Sequence, residues 1–191
     1  MAALTGWREQ LDSAVSYMLA GAAMTTPDLL SRPTPCSGWD LETLLDHLSD
    51  SIEALGQAIA AGCVTARAAP PCPGPRDDPV TCLRGQAARL LAACSSPSGQ
   101  PVAVGDRELT AEMVAVTAAI EITVHGWDIS AACGTREPIP ARLAIALLPA
   151  AALLITPRTR PGLFADPVRL PGSASPGDQL VAFLGRQPQH P

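Results

Sequence analysis

Three histidines occur in the chain, and two of them stand where a metal ion could use them: His47 in Leu41-Glu-Thr-Leu-Leu-Asp-His-Leu48 and His125 in Glu121-Ile-Thr-Val-His-Gly-Trp-Asp128. If both runs are helical, Glu121 and His125 share a face one turn apart, and His47 can meet them from a second helix. Two imidazoles and one carboxylate form a ligand set for a divalent metal that keeps an open position. That pattern is catalytic more than structural, because a closed structural zinc site uses four protein ligands and draws on cysteine. In the open position a thiol would lose its proton or a water would be acidified toward neutral pH, and either becomes a strong nucleophile. Asp128, three residues past His125, is placed to accept a hydrogen bond from a ligand imidazole rather than to bind the metal. His190, in the tail, is given no role.

The elements that must position these residues are legible as helices separated by proline-rich connections. Trp7, Leu11, Ala14, Val15, Met18, Leu19 and Ala22 recur at three and four, which predicts a first helix over about 5–24. Asp40, or Ser37 a turn earlier, caps a second helix whose stripe is Leu41, Leu44, Leu45, Leu48, Ile52, Leu55 and Ile59, ending near Gly62. Residues 66–79 hold too many prolines for regular structure but are numerous enough to cross the length of a bundle. Asp77 or Asp78 followed by Pro79 opens a third helix over 80–94, and 101–107 is a short extended or hairpin-like excursion. A fourth helix spans 110–133 and stops at Gly134. It has an apolar side of Met113, Val116, Ala119 or Ile120, Val124, Trp127 and Ala131, and a polar strip of Glu121, His125 and Asp128. A carboxylate in the middle of so apolar a helix needs a cation or a donor. Residues 141–155 predict a fifth helix broken by Pro149, and 178–185 a short closing helix.

Composition narrows the function classes. Thirteen basic against eighteen acidic residues give a net charge of −5, which excludes an electrostatic nucleic-acid footprint. Aromatics are only 3 % of the chain, so the core must be aliphatic and small, as closely packed helices allow. The longest apolar run, 143–155, is interrupted by Pro149 and falls short of the roughly 20 residues of a membrane span. The N-terminus has no basic start followed by an apolar run, so a cytoplasmic location is expected. The six cysteines form no C-x-x-C pair and are expected to be reduced thiols, several packed as small hydrophobes. Arg84 and Arg89 on the third helix are available to an anionic substrate, although a solvated face is their commoner place.

Pro35-Cys-Ser-Gly-Trp39 leads into Leu44-Leu-Asp-His-Leu48. Glu121-x-x-x-His125-Gly-Trp-Asp128-Ile-Ser-Ala-Ala-Cys-Gly134 follows, then Phe164-x-x-Pro167-Val and Leu180-x-x-Phe-Leu-Gly-Arg186-x-Pro188. Together these runs resemble the actinobacterial metal-binding branch of the DinB-like superfamily, close to the N-terminal domain of mycothiol-dependent maleylpyruvate isomerase. The resemblance implies an all-α, DinB-like four-helix bundle, placed here over residues 1–136 with a long crossover loop; the sequence departs from the isomerase in that a short proline-rich extension, 137–191, expected to pack on the bundle, stands in place of an evident full second domain. It also implies a divalent metal, zinc in the first place with nickel or another ion as alternatives, on His47, Glu121 and His125. Its members include thiol-dependent isomerases and S-transferases that use mycothiol or related thiols on small electrophilic substrates. The alternative is a DinB fold reused in secondary metabolism for a non-thiol reaction such as cyclisation or hydrolysis, or for binding a small molecule. A bundle that merely dimerises is disfavoured by the polar strip of the fourth helix, and a homodimer as such is left open.

Overall fold

The computed structural model describes residues 6–61, 78–95, 101–104 and 107–188. They form six α-helices and one small hairpin: α1 (Trp7–Ala22), α2 (Leu41–Ala61), α3 (Pro79–Ser95), β1 (Val102–Val104), β2 (Arg107–Leu109), α4 (Ala111–Cys133), α5 (Ala141–Leu154) and α6 (Pro176–Phe183). The strands pair antiparallel, with Ala103 opposite Glu108. No helix among the described residues is long and apolar enough to cross a membrane. The expectation of an all-α fold holds.

Helix starts follow their capping residues. Asp40 Oδ1 accepts from the Thr43 amide at 2.9 Å and from its hydroxyl at 2.6 Å, which fixes the entry to α2. Asp78 accepts from the Val80 amide at 3.1 Å, with Pro79 at the first position of α3, where a missing N–H costs nothing. Thr110 Oγ1 accepts from the Met113 amide at 3.2 Å to open α4, and Gly134, at φ 78°, closes it in the left-handed region.

Pairwise contacts give the helix directions. Ser49 lies against Cys82 (3.3 Å), Glu53 against Gln86 (2.6 Å) and Gly56 against Leu90, so α2 and α3 run parallel. Tyr17 and Met18 face Gly126, Gly21 faces Ser130 and Thr25 faces Cys133, so α1 and α4 are also parallel. Arg8 at the start of α1 donates to the Cys94 carbonyl at the end of α3 (3.2 Å), making that pair antiparallel. On α2 and α4, His47 reaches both Glu121 and His125 whereas Ser51, one turn further on, reaches Glu121, so that pair is antiparallel as well. The bundle is therefore up-down-down-up, with α1 beside α4 and α2 beside α3. Parallel neighbours in sequence, such as α2 and α3, require a connection that returns the length of the pair. The proline-rich run expected to make that crossover lies outside the described residues.

Burial of α4 departs from the one-sided apolar stripe. Val114, Val116, Ile120, Ile122, Val124 and Ile129 are all buried, as are Thr123, His125 and Asp128, so the helix is enclosed on nearly every side. It packs on α1, α2 and α5 together, and between Met113 and Ala131 only Met113, Thr117, Glu121, Trp127 and Ala131 escape full burial, along one narrow strip of the helix. Met113, Trp127 and Ala131, expected on the apolar side, are only half-buried. Close approach to α1 depends on Gly126, where a Cβ would come within 3.0 Å of Met18 Cα and 3.1 Å of Met18 Cβ. A mid-helix glycine normally costs about 1 kcal/mol relative to alanine, so its presence here marks where two backbones nearly touch. Gly126→Val is expected to lower unfolding stability by about 1–3 kcal/mol through overpacking, read from urea denaturation midpoints.

Tyr17, the only tyrosine, is buried against the same spot and donates its hydroxyl to the Glu137 carbonyl at 2.7 Å. Burial, then the charges of Glu137 and Asp128, pushes its phenol well above the ordinary value. Because the folded state holds the proton more tightly than the unfolded one, the resulting stability is complete below about pH 10 and is lost as pH rises beyond it. An alkaline titration followed at the phenolate absorption band should show no ionisation near pH 10 in the folded protein. Appearance of the band there without unfolding would contradict the burial.

Cys36, Cys94 and Cys133 are free, but Cys82 is disulfide-bonded, against the expectation of reduced thiols throughout. Helical periodicity places Cys82 on α3 but carries no information about the pairing of its sulfur. His190 lies outside the described residues.

Candidate metal centre

Antiparallel packing of α2 on α4 brings His47 to Glu121, with Nε2 and Oε1 3.5 Å apart, and the His47 and His125 rings meet edge to face at a 5.3 Å centroid distance. One donor atom from each of His47, Glu121 and His125 lies within 4.8 Å of the other two. Tetrahedral ligands about 2.0–2.1 Å from a zinc ion sit roughly 3.3 Å from one another, so the spacing fits a shared divalent cation with little movement. Side-chain exposure falls from 37 % at His47 to 27 % at Glu121 and 10 % at His125, so the group opens to solvent on its α2 side. The Trp39 ring, 4.6 Å from that of His47, walls this opening. Burial raises the Glu121 carboxyl, but hydrogen bonds from His47 and Ser51 and the nearby imidazole charge outweigh it, leaving the group below its ordinary value. A carboxylate kept ionised in this position suits a cation ligand.

On the inner side, Asp128 is fully buried and its Oδ2 lies 3.1 Å from His125 Nδ1. With the imidazole neutral, Nδ1–H donates to the carboxylate and Nε2 keeps its lone pair for the other face of the ring. Two further residues meet there that the residue pattern left without a part. Arg186, just past α6, donates from Nε to Asp128 Oδ1 (3.3 Å) and from Nη2 to Oδ2 (2.9 Å). Cys36, in the turn before α2, has its sulfur 3.2 Å from Asp128 Oδ2 and 3.4 Å from Arg186 Nη2. Both lie in runs that carried the family resemblance. What points to Arg186 is the need of a buried Asp128 for a cation, a need from which the partner's position in sequence cannot be read. Burial raises the Asp128 carboxyl, while the His125 hydrogen bond and the Arg186 charge more than offset it and hold the group below its ordinary value.

Cys36, His125 and Asp128 are also close enough to form a ligand group, but they fit a metal poorly. The Arg186 guanidinium already takes the cation's place between Asp128 and Cys36, and a divalent ion beside it would meet like charge. Burial, and after it the Asp128 charge, pushes the Cys36 thiol up to about 12, so it is a protonated donor to Asp128. Arg84 and Arg89 are exposed on α3, and Arg89 donates to Gln86.

Residues 11–130 match the sequence profile of the mycothiol maleylpyruvate isomerase N-terminal domain. Two proteins of Mycobacterium tuberculosis, uncharacterized protein MT0763 of strain CDC 1551 / Oshkosh and uncharacterized protein Rv0738 of strain ATCC 25618 / H37Rv, are each 32 % identical to the chain over 163 residues. Each match covers 83 % of this chain and 86 % of the relative. No solved structure matches at a significant level. The profile spans α1 to most of α4 and so takes in His47, Glu121, His125 and Asp128. The chain belongs to the mycothiol maleylpyruvate isomerase N-terminal domain family, a DinB-like helical family.

Proposed function

We propose that His47, Glu121 and His125 hold one divalent cation, zinc before nickel, and that the chain is an enzyme acting with a low-molecular-weight thiol, mycothiol or a relative, on a small electrophilic substrate. The observation that carries this is the meeting of three donor atoms from two helices at one solvent-facing opening, with a buried carboxylate behind the inner imidazole. The cation, when bound, supplies Lewis acidity that lowers the pKa of a thiol or water in its open position. Glu121 enters ionised and is steadied by Ser51. Asp128 engages Nδ1 of His125, which leaves Nε2 as the ring nitrogen available to the cation. His47 and Trp39 leave the approach on the α2 side, which directs the substrate to that edge. In this reading residues 1–136 carry all three ligands, and the extension 137–191 reaches back to them through Arg186.

Cobalt substitution tests it. Cobalt-loaded protein is expected to show visible ligand-field bands that shift on addition of mycothiol or a simple analogue. Bands that are present yet indifferent to thiols would turn the assignment toward water activation or small-molecule binding.

A further inference from the structure

Arg186 stands 58 residues from Asp128 in sequence and belongs to neither helix of the candidate centre. Its guanidinium nevertheless grips both Asp128 oxygens, at 3.3 and 2.9 Å, and the oxygen at 2.9 Å is the one that faces His125 Nδ1 at 3.1 Å. The remaining donors are directed as well: Nη1 to the Leu184 carbonyl at 2.9 Å and Nη2 to the Cys36 sulfur at 3.4 Å. The turn delivering it is specific, since Gly185 has φ +83° and a Cβ there would fall 2.6 Å from the Ala165 carbonyl oxygen. A buried carboxylate held at one oxygen can rotate about its Cβ–Cγ bond, whereas one held by a guanidinium fork has its plane fixed.

Resting on the reading that His125 is a metal ligand, we infer that Arg186 is a positioning residue of the metal centre. It locks the Asp128 carboxylate so that Oδ2 accepts the hydrogen bond from His125 Nδ1–H, which commits the other ring nitrogen to the cation. The C-terminal segment is then part of the centre, although it supplies none of the three ligands. A point charge in place of the fork, as in Arg186→Lys, would leave the carboxylate free to turn.

Two readouts test this, one of them independent of metal. With only three histidines in the chain, long-range proton–nitrogen NMR at alkaline pH resolves the tautomer of each ring in metal-free protein, and His125 is expected to be protonated at Nδ1. Arg186→Lys and Arg186→Ala should give a tautomer mixture, together with zinc affinity lowered about 10- to 100-fold in competition with a chromophoric chelator. Millimolar guanidinium should restore both properties to Arg186→Ala, which a merely structural role would not produce. A folded Arg186→Lys protein with the unmixed tautomer and unchanged zinc affinity overturns the inference, as does an Arg186→Ala defect that guanidinium leaves untouched. Wild-type protein that takes up no zinc at all signals the failure of the metal reading itself, visible before any variant is compared, and the inference falls with it.

Discussion

His47→Ala should lose its divalent metal: zinc affinity is expected to fall about a hundredfold or more, since removal of a partner one shell further out already costs about 10- to 100-fold. His125→Ala should behave the same way. The metal-free His47→Ala protein should keep its stability within roughly 0.5–1 kcal/mol, because the side chain is 37 % exposed and fills no part of the core. Metal content after gel filtration, paired with chelator competition, separates the two effects. Full metal retention in folded His47→Ala would remove α2 from the site.

Asp128→Ala should be the most destabilising change at the centre. Asp128 is fully buried, Arg186 is 9 % exposed, and their nitrogen–oxygen distance is 2.9 Å. Removing the carboxylate leaves a guanidinium in a site that water barely reaches, and breaking one side of a buried pair typically costs about 3–5 kcal/mol. In a domain of this size that corresponds to a melting temperature lower by about 6–20 °C. Asp128→Asn keeps the shape and part of the hydrogen bonding, so a smaller loss is expected. The check is calorimetry on metal-free proteins, so that lost metal is not counted as lost stability. A shift of under about 2 °C for Asp128→Ala would mean that the pair is solvated in the working protein.

Much of this architecture was legible in the residues. The leucine stripe of α2, Asp40 and Asp78 as caps and Gly134 as a stop are local signals, and local backbone chemistry dictates the structure they mark. The meeting of His47 with Glu121 and His125 could be expected because two helices each present a face of known period, leaving only which faces meet to be learned. Three features were not legible for the same physical reason. The enclosure of α4 depends on how many neighbours pack on it, the Cys82 disulfide on a pairing that local pattern does not encode, and the Arg186–Asp128–Cys36 contacts on a segment far along the chain. Period and capping carry no term for any of these. The buried acid itself was a sign, since Asp128 on so apolar a helix had to find a cation.

X-ray absorption at the zinc edge of the reconstituted protein tests the shared cation most directly, because it counts ligand types without reference to activity. One ion per chain is expected, with a nitrogen and oxygen shell at about 2.0–2.2 Å, the scattering pattern of two imidazoles and no sulfur. A sulfur shell near 2.3 Å would move the metal to the Cys36 side, and a protein that binds no ion would end the assignment of His47, Glu121 and His125 as its ligands.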